Sequence, residues 1–303
     1  MRFREVLVVG GLVLTAACTD TTVVTDGGQK VKQAKLNLTT NNSDGQATTP
    51  QPKEPTVCRV ISATGPIHQA DAADGGVVAS GEVAGDSFFT IGAGGRLAIK
   101  NGKTTRETIF EGGGDVRVCV NGDEEMWMTT GLFSSVVGAG ESPGAEVWIV
   151  MPQGVVRYGS GARLHVNVGV KAEVQLQNGG AFVYPVDAIA TSRDAEAPHG
   201  TDGWYPAPVG TLTLTSKKAP SQILGDCEQA AKAAHDLAVQ IETRDASLAE
   251  AAPRHVVLRQ RAHALCSVAE LVAARSFDLG ERERLLPRAH AAAAKWRDVA
   301  VAN

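Results

Sequence analysis

Between residues 58 and 185 apolar and polar positions alternate with a period of two. In RLHVNV (residues 163–168) Leu164, Val166 and Val168 fall on one face; in AEVQLQ (172–177) Ala172, Val174 and Leu176 do; in RLAIK (96–100) Leu97 and Ile99 do. Between such runs stand GAGG, EGGGD, VNGDE, GSGA and QNGG, whose glycines supply the positive φ of tight turns. Alternation punctuated by turns predicts half-buried strands in an all-β domain over residues 57–190. A connecting segment, 191–224, holds one more strand-like run, GTLTLTS, at 210–216.

From residue 225 the period lengthens to that of a helix. Ala230, Ala234, Leu237 and Ile241 form one stripe, with Asp226 as the expected N-cap. Ser247 and Glu250 read as a capping box opening a second helix through Leu258, Leu265, Ala269 and Val272. Pro253 argues instead for a start near residue 252, and both starts stay open. A third helix carries Leu285, Ala289, Ala292, Trp296 and Val299, with Pro287 in its first turn. The chain is therefore expected to be mainly β, followed by a C-terminal helical hairpin or three-helix segment over 225–303.

The N-terminus has a different pattern. MRFREVLVVGGLVLTAAC places Arg2 and Arg4 before an apolar stretch at 6–14 and then small residues. A spanning helix needs about 20 apolar residues, roughly twice what is present, so residues 1–17 read as a signal peptide. Leu14-Thr15-Ala16-Ala17-Cys18 resembles a bacterial lipobox, although Thr15 stands where a large aliphatic residue is usual. The resemblance implies that Cys18 is lipidated and becomes the first mature residue. Ordinary cleavage near Ala17 is the alternative. Residues 18–56 form the expected linker: no aromatic side chain and many Thr, Asn, Gly, Gln and Pro, a composition too poor in apolar surface to offset its ordering entropy.

Composition narrows the function. Of 303 residues 43% are hydrophobic and 20% charged, with a net charge of −4, which suits a globular protein and gives no basic footprint for nucleic acid. Aromatic content of 5% argues against a stacking platform for sugars or bases.

The segments GEVAGDSFFTIGAGGRLAIKNGK and GLFSSVVGAGESPGAEVWIVMPQGVVRYGSGARLHVNVGVKAEVQLQNGGAFVYP resemble the FecR family of bacterial envelope domains. The family's turn and strand positions are filled by Met151-Pro152, Gly154-Val155, Gly161-Ala162 and residues 179–183, with Met151 and Ala162 in place of threonines. The resemblance covers about residues 57–185. It implies a short β-solenoid or β-roll in the periplasm. Members of the best-known type carry a cytoplasmic sigma-factor-binding segment and a spanning helix. Neither is read here, so the anti-sigma role does not carry over.

No residues form a Gly-Xaa-Ser-Xaa-Gly elbow; Ser160 in YGSGA lacks the spacing. Gly92–Gly95 is followed by a strand-like run rather than by the helix a phosphate loop needs. Asp123, Glu124 and Glu125 read as a solvated turn, and His263, in RQRAH, as a solvated side chain. Trp204 and Tyr205 are the candidate binding surface; the alternative is a loop packing its rings onto the β domain.

Of five cysteines, Cys18 is assigned to lipid, leaving two in each domain, an even set in an oxidising compartment. If the first helix ends near Thr243 and Ser247 opens the second, the turn centres on Asp245. Cys227 and Cys266 are then almost equidistant from it and are expected to pair. Cys58 and Cys119 make the second pair, although in VRVCV the valines share one face and Cys119 lies on the other. One strand end has to curl past its neighbour for them to meet. A metal or haem site at Cys227, His235, His263 and Cys266 is the rival; no cofactor is expected.

The resulting expectation is a non-enzymatic envelope protein of a Gram-negative bacterium, held to the membrane by lipid on the periplasmic side, at the outer membrane. It would bind or scaffold an envelope protein or the cell wall. The alternative is a periplasmic signalling regulator relaying a binding event to a membrane partner.

Overall fold

The computed structural model describes residues 21–24, 30–33, 58–70, 81–83, 86–101, 107–120, 125–136, 146–159, 161–191, 203–243, 248–276 and 278–301. The chain divides into a unit of residues 1–52 with 298–303 and a unit of residues 53–297. In the first, strands β1 (Thr21–Val24) and β2 (Lys30–Gln33) pair antiparallel, Val23 opposite Val31. Composition alone predicts no regular structure here. The β-branched run Thr-Thr-Val-Val favours the extended backbone that the average over the whole linker hides.

The second unit begins with β3 (Cys58–Thr64), β4 (Ile67–Gln69), β5 (Gly81–Val83), β6 (Ser87–Ile91), β7 (Arg96–Asn101) and β8 (Glu107–Glu111). It continues with β9 (Gly114–Val118), β10 (Glu125–Met128), β11 (Gly131–Val136), β12 (Val147–Met151), β13 (Gly154–Tyr158) and β14 (Arg163–Val168). The last strands are β15 (Ala172–Asn178), β16 (Ala181–Pro185), β17 (Ala188–Thr191), β18 (Tyr205–Pro206) and β19 (Gly210–Thr215). Helices α1 (Pro220–Glu242), α2 (Leu248–Ala274) and α3 (Leu279–Val301) follow.

The strands form an eight-stranded sheet, in the order β18-β16-β13-β12-β10-β9-β6-β4, and a nine-stranded sheet, β17-β19-β15-β14-β11-β8-β7-β3-β5. The chain passes from one sheet to the other at short corners: β6 to β7, β8 to β9, β10 to β11, β13 to β14 and β15 to β16. The alternation read from the sequence holds. Leu97 and Ile99 of β7, Leu164, Val166 and Val168 of β14, and Ala172, Val174 and Leu176 of β15 face one shared core. Phe110, Phe133 and Tyr158 fill its middle, edge to face at centroid distances of 5.6 and 6.3 Å.

A solenoid is not what these pairings show. Among the described strands β10 and β12 pair in parallel and the other neighbours are antiparallel, whereas coils of a solenoid stack in parallel. Residues 210–215 also belong to the β body, since β19 lies between β15 and β17. Two of the glycine positions that carry the family resemblance have a steric reason. Gly154 has φ +153°, and a Cβ there would lie 2.3 Å from the Tyr184 carbonyl oxygen. Gly179, at φ +80°, packs where a Cβ would come within 2.5 Å of the Ala162 Cα, so these two corners require each other's small size.

Around β10, β12 and β13 the eight-stranded sheet is covered on both faces, which is why β12 (VWIVM) reads as continuously apolar. Val147, Ile149 and Met151 face the sandwich core, while Val150 joins Trp127, Val155, Tyr184 and Trp204 under the helices. Helix α2 lies against β12 and β13. Full burial of one such apolar side chain contributes about 1.5–3 kcal/mol.

Two helix starts, those of α1 and α3, differ from expectation, and that of α2 agrees with the earlier of the two starts left open. α1 begins at Pro220 rather than beside Asp226; the Gln222 side chain accepts from the Ala219 N–H at 2.9 Å, and Asp226 instead binds Lys218 at 2.7 Å. α2 begins at Leu248, directly after Ser247, with Pro253 inside it. α3 begins at Leu279, where Asp278 accepts from the Glu281 N–H at 3.1 Å, so Pro287 lies inside the helix rather than in its first turn. Among the described residues no helix is long and apolar enough to cross a membrane.

Candidate functional site

Strand β10 carries the sequence EMWM. Met126 and Met128 enter the sandwich core, so period two turns Glu125 and Trp127 to the opposite face, under α2. Glu125 is 1% exposed. Its Oε1 accepts from Trp127 Nε1 at 2.6 Å, and its Oε2 lies 2.7 Å from His263 Nε2. Burial by itself pushes the Glu125 carboxyl up. The facing His263 and the N–H donors of His263 and Trp127, with the Ser267 hydroxyl one turn further along α2, outweigh it and hold the group below the usual carboxylate range.

Aromatic rings wall this pair. The Trp148 ring stacks on His263 at 4.1 Å with an interplanar angle of 18°. Trp204 meets Trp148 edge-on at 5.2 Å and Tyr184 at 5.4 Å. The Arg157 guanidinium lies 4.7 Å over Trp204, and that of Arg117 lies 5.3 Å over Trp127. At the far end of α2, Arg275 pairs with Asp115 on β9. Beside His263 the helix surface opens into a depression of about 210 Å³ lined by Val256, Arg259, Gln260 and His263.

Several expectations drawn from the sequence need correcting. Glu125 is no solvated turn residue; it is the buried first residue of β10. His263 is largely buried on it, with 15% of its side chain exposed. Asp123 and Glu124 lie outside the described residues, as do Ser160 and Cys18. Trp204 follows the packing alternative rather than the binding-surface one: at 3% exposure it packs into the joint between sheet and helices, while Tyr205 in β18 is half-buried. One signal for Glu125 was present. A face shared with Trp127, beside a strand apolar on both sides, has to be covered.

The cysteines are brought together as expected. Cys227 and Cys266 form a disulfide with Cα atoms 4.7 Å apart, clasping α1 to α2. Cys58 and Cys119 form the other, with Cα atoms 6.4 Å apart. Cys119 takes φ +52° just past the end of β9, which breaks the alternation and turns its sulfur inward. The rival metal or haem site at Cys227, His235, His263 and Cys266 is not assembled, because its two sulfurs are bonded to each other and His263 is engaged by Glu125. Both bridges are compatible with an exported protein in an oxidising compartment.

Compared with protein-family models, curated proteins and solved structures, the chain matches none. The resemblance to the FecR family thus rests on the sequence motifs alone.

Proposed function

We propose that this is an exported envelope protein, anchored through lipid on Cys18 to the outer membrane on its periplasmic side, whose FecR-like β body binds or scaffolds another envelope component without catalytic turnover. On this reading the two-sheet body is the family's β domain. The observation that carries the non-enzymatic reading is the engagement of Glu125. Its two carboxylate oxygens are taken up by Trp127 and His263, so the buried acid and imidazole hold α2 on the sheet instead of facing a substrate. Support for a scaffolding role comes from the nine-stranded sheet, whose outward side chains Arg163, His165, Asn167, Glu173 and Gln175 are exposed.

Crosslinking in the native envelope followed by pull-down tests the proposal. A discrete partner, protein or peptidoglycan, retained by wild type and lost on substitution of exposed residues of that sheet, is the expected result. Turnover of a hydrolase substrate that survives repurification and disappears on a point change within residues 57–185 would overturn it.

A further inference from the structure

The depression beside His263 holds the Arg259 charge, which no carboxylate among the described residues balances. Arg259 is half-buried in its wall, and its buried Nε has no hydrogen-bond partner. Among the described residues no carboxylate pairs with it. One turn earlier His255 is 4% exposed, and its Nε2 is also unpartnered. Burial, then the neighbouring Arg259 charge, push the His255 imidazole down; burial also pushes the Arg259 guanidinium down. A buried guanidinium N–H left without a hydrogen-bond partner is costly. Glu125, behind His263, has its two carboxylate oxygens already engaged by that ring and by Trp127.

We propose that the depression formed by Val256, Arg259, Gln260 and His263 is a binding site for a small oxyanion, a carboxylate or phosphate group, received by the Arg259 guanidinium. The chemistry follows from the donor. A guanidinium presents parallel N–H groups that match two oxygens of one carboxylate or phosphate, and the Gln260 amide adds a neutral donor on the same wall. The size sets the ligand class. About 210 Å³ is below the roughly 300–1,000 Å³ of pockets that enclose a whole metabolite, so the site takes one charged group, free or displayed on a larger molecule. Val256, 44% exposed at the rim, would cover the apolar stem of such a group.

The proposal goes beyond the anchoring and scaffolding reading. Loss of anion binding would leave membrane attachment intact, and Cys18→Ser would leave anion binding intact.

The test is a nuclear magnetic resonance titration of the folded protein with sodium acetate and, separately, with sodium phosphate, at constant ionic strength. Saturable shifts of the Arg259 Nε–H and of the His255 and His263 ring signals are expected. Arg259→Gln should weaken the apparent affinity by at least about tenfold, equivalent to 1.4 kcal/mol. Arg259→Lys, which keeps the charge, should bind with intermediate strength, and it supplies the comparison if the glutamine variant melts early. Saturation by both anions supports a carboxylate-accepting site, and saturation by phosphate alone supports a phosphate-ester site. Shifts that rise linearly with either salt, or that are the same in Arg259→Gln, would overturn the proposal.

Discussion

His263 Nε2 lies 2.7 Å from Glu125 Oε2, joining residues 138 positions apart across the joint between sheet and helix. The pair fixes one register of α2 over β12: sliding the helix by a turn would strand a carboxylate that is 1% exposed. Such a pair contributes little net energy compared with apolar packing, yet breaking it is expensive.

Removal of one partner should therefore cost more than an average core substitution. His263→Ala is expected to lower unfolding stability by about 3–5 kcal/mol, read as a shifted urea midpoint with an unchanged slope. His263→Gln, which keeps an N–H donor, should recover part of the loss. A cost below about 1 kcal/mol for the alanine variant would show that water or another group satisfies Glu125.

The acid side of the stability profile should fall in two stages. The folded value of His255 is pushed below the ordinary histidine value of 6.5 by burial, so the unfolded chain binds its proton first. The His255 contribution is full above 6.5 and is lost as pH falls from there toward the folded value. Glu125 is held below 4.5; its contribution is present above that value and is lost as pH falls through the folded one. Urea unfolding measured from neutral pH downward should show the first decline in wild type and lose it in His255→Gln. A first stage of equal slope in the variant would assign it to another group.

What the sequence revealed was the local part of this architecture. β7, β14 and β15 were legible because neighbouring side chains alternate within each strand. The Cys227–Cys266 bridge was legible because one short turn sets the register of α1 and α2. Glu125 was not, because its burial depends on the parallel pairing of β10 with β12, which brings Met126 opposite Ile149, and on a helix more than a hundred residues away. Cys119 was half-legible: the pairing followed from counting, but the φ of +52° that turns it inward is a local break that alternation does not signal. Arg259 does not stand out from the basic run around it, because the depression that surrounds it exists only once α2 is docked.

Opening the clasp between α1 and α2 should loosen the helices before the sandwich. The bridge spans a sequence separation of 39, and loops of that order contribute about 2–4 kcal/mol. The double variant Cys227→Ser, Cys266→Ser should lose that much stability. Amide exchange should accelerate first in α1 and α2 and leave β7, β14 and β15 protected. Equal acceleration in those strands would mean that helices and sheets unfold as one unit.

The claim that this is a lipid-anchored envelope protein is tested most directly by fractionation of the producing cells with fatty-acid labelling, comparing wild type with Cys18→Ser. Wild type is expected in the membrane fraction and labelled, and Cys18→Ser is expected in the soluble periplasm and unlabelled. A wild-type protein that is already soluble and takes up no label would contradict the account.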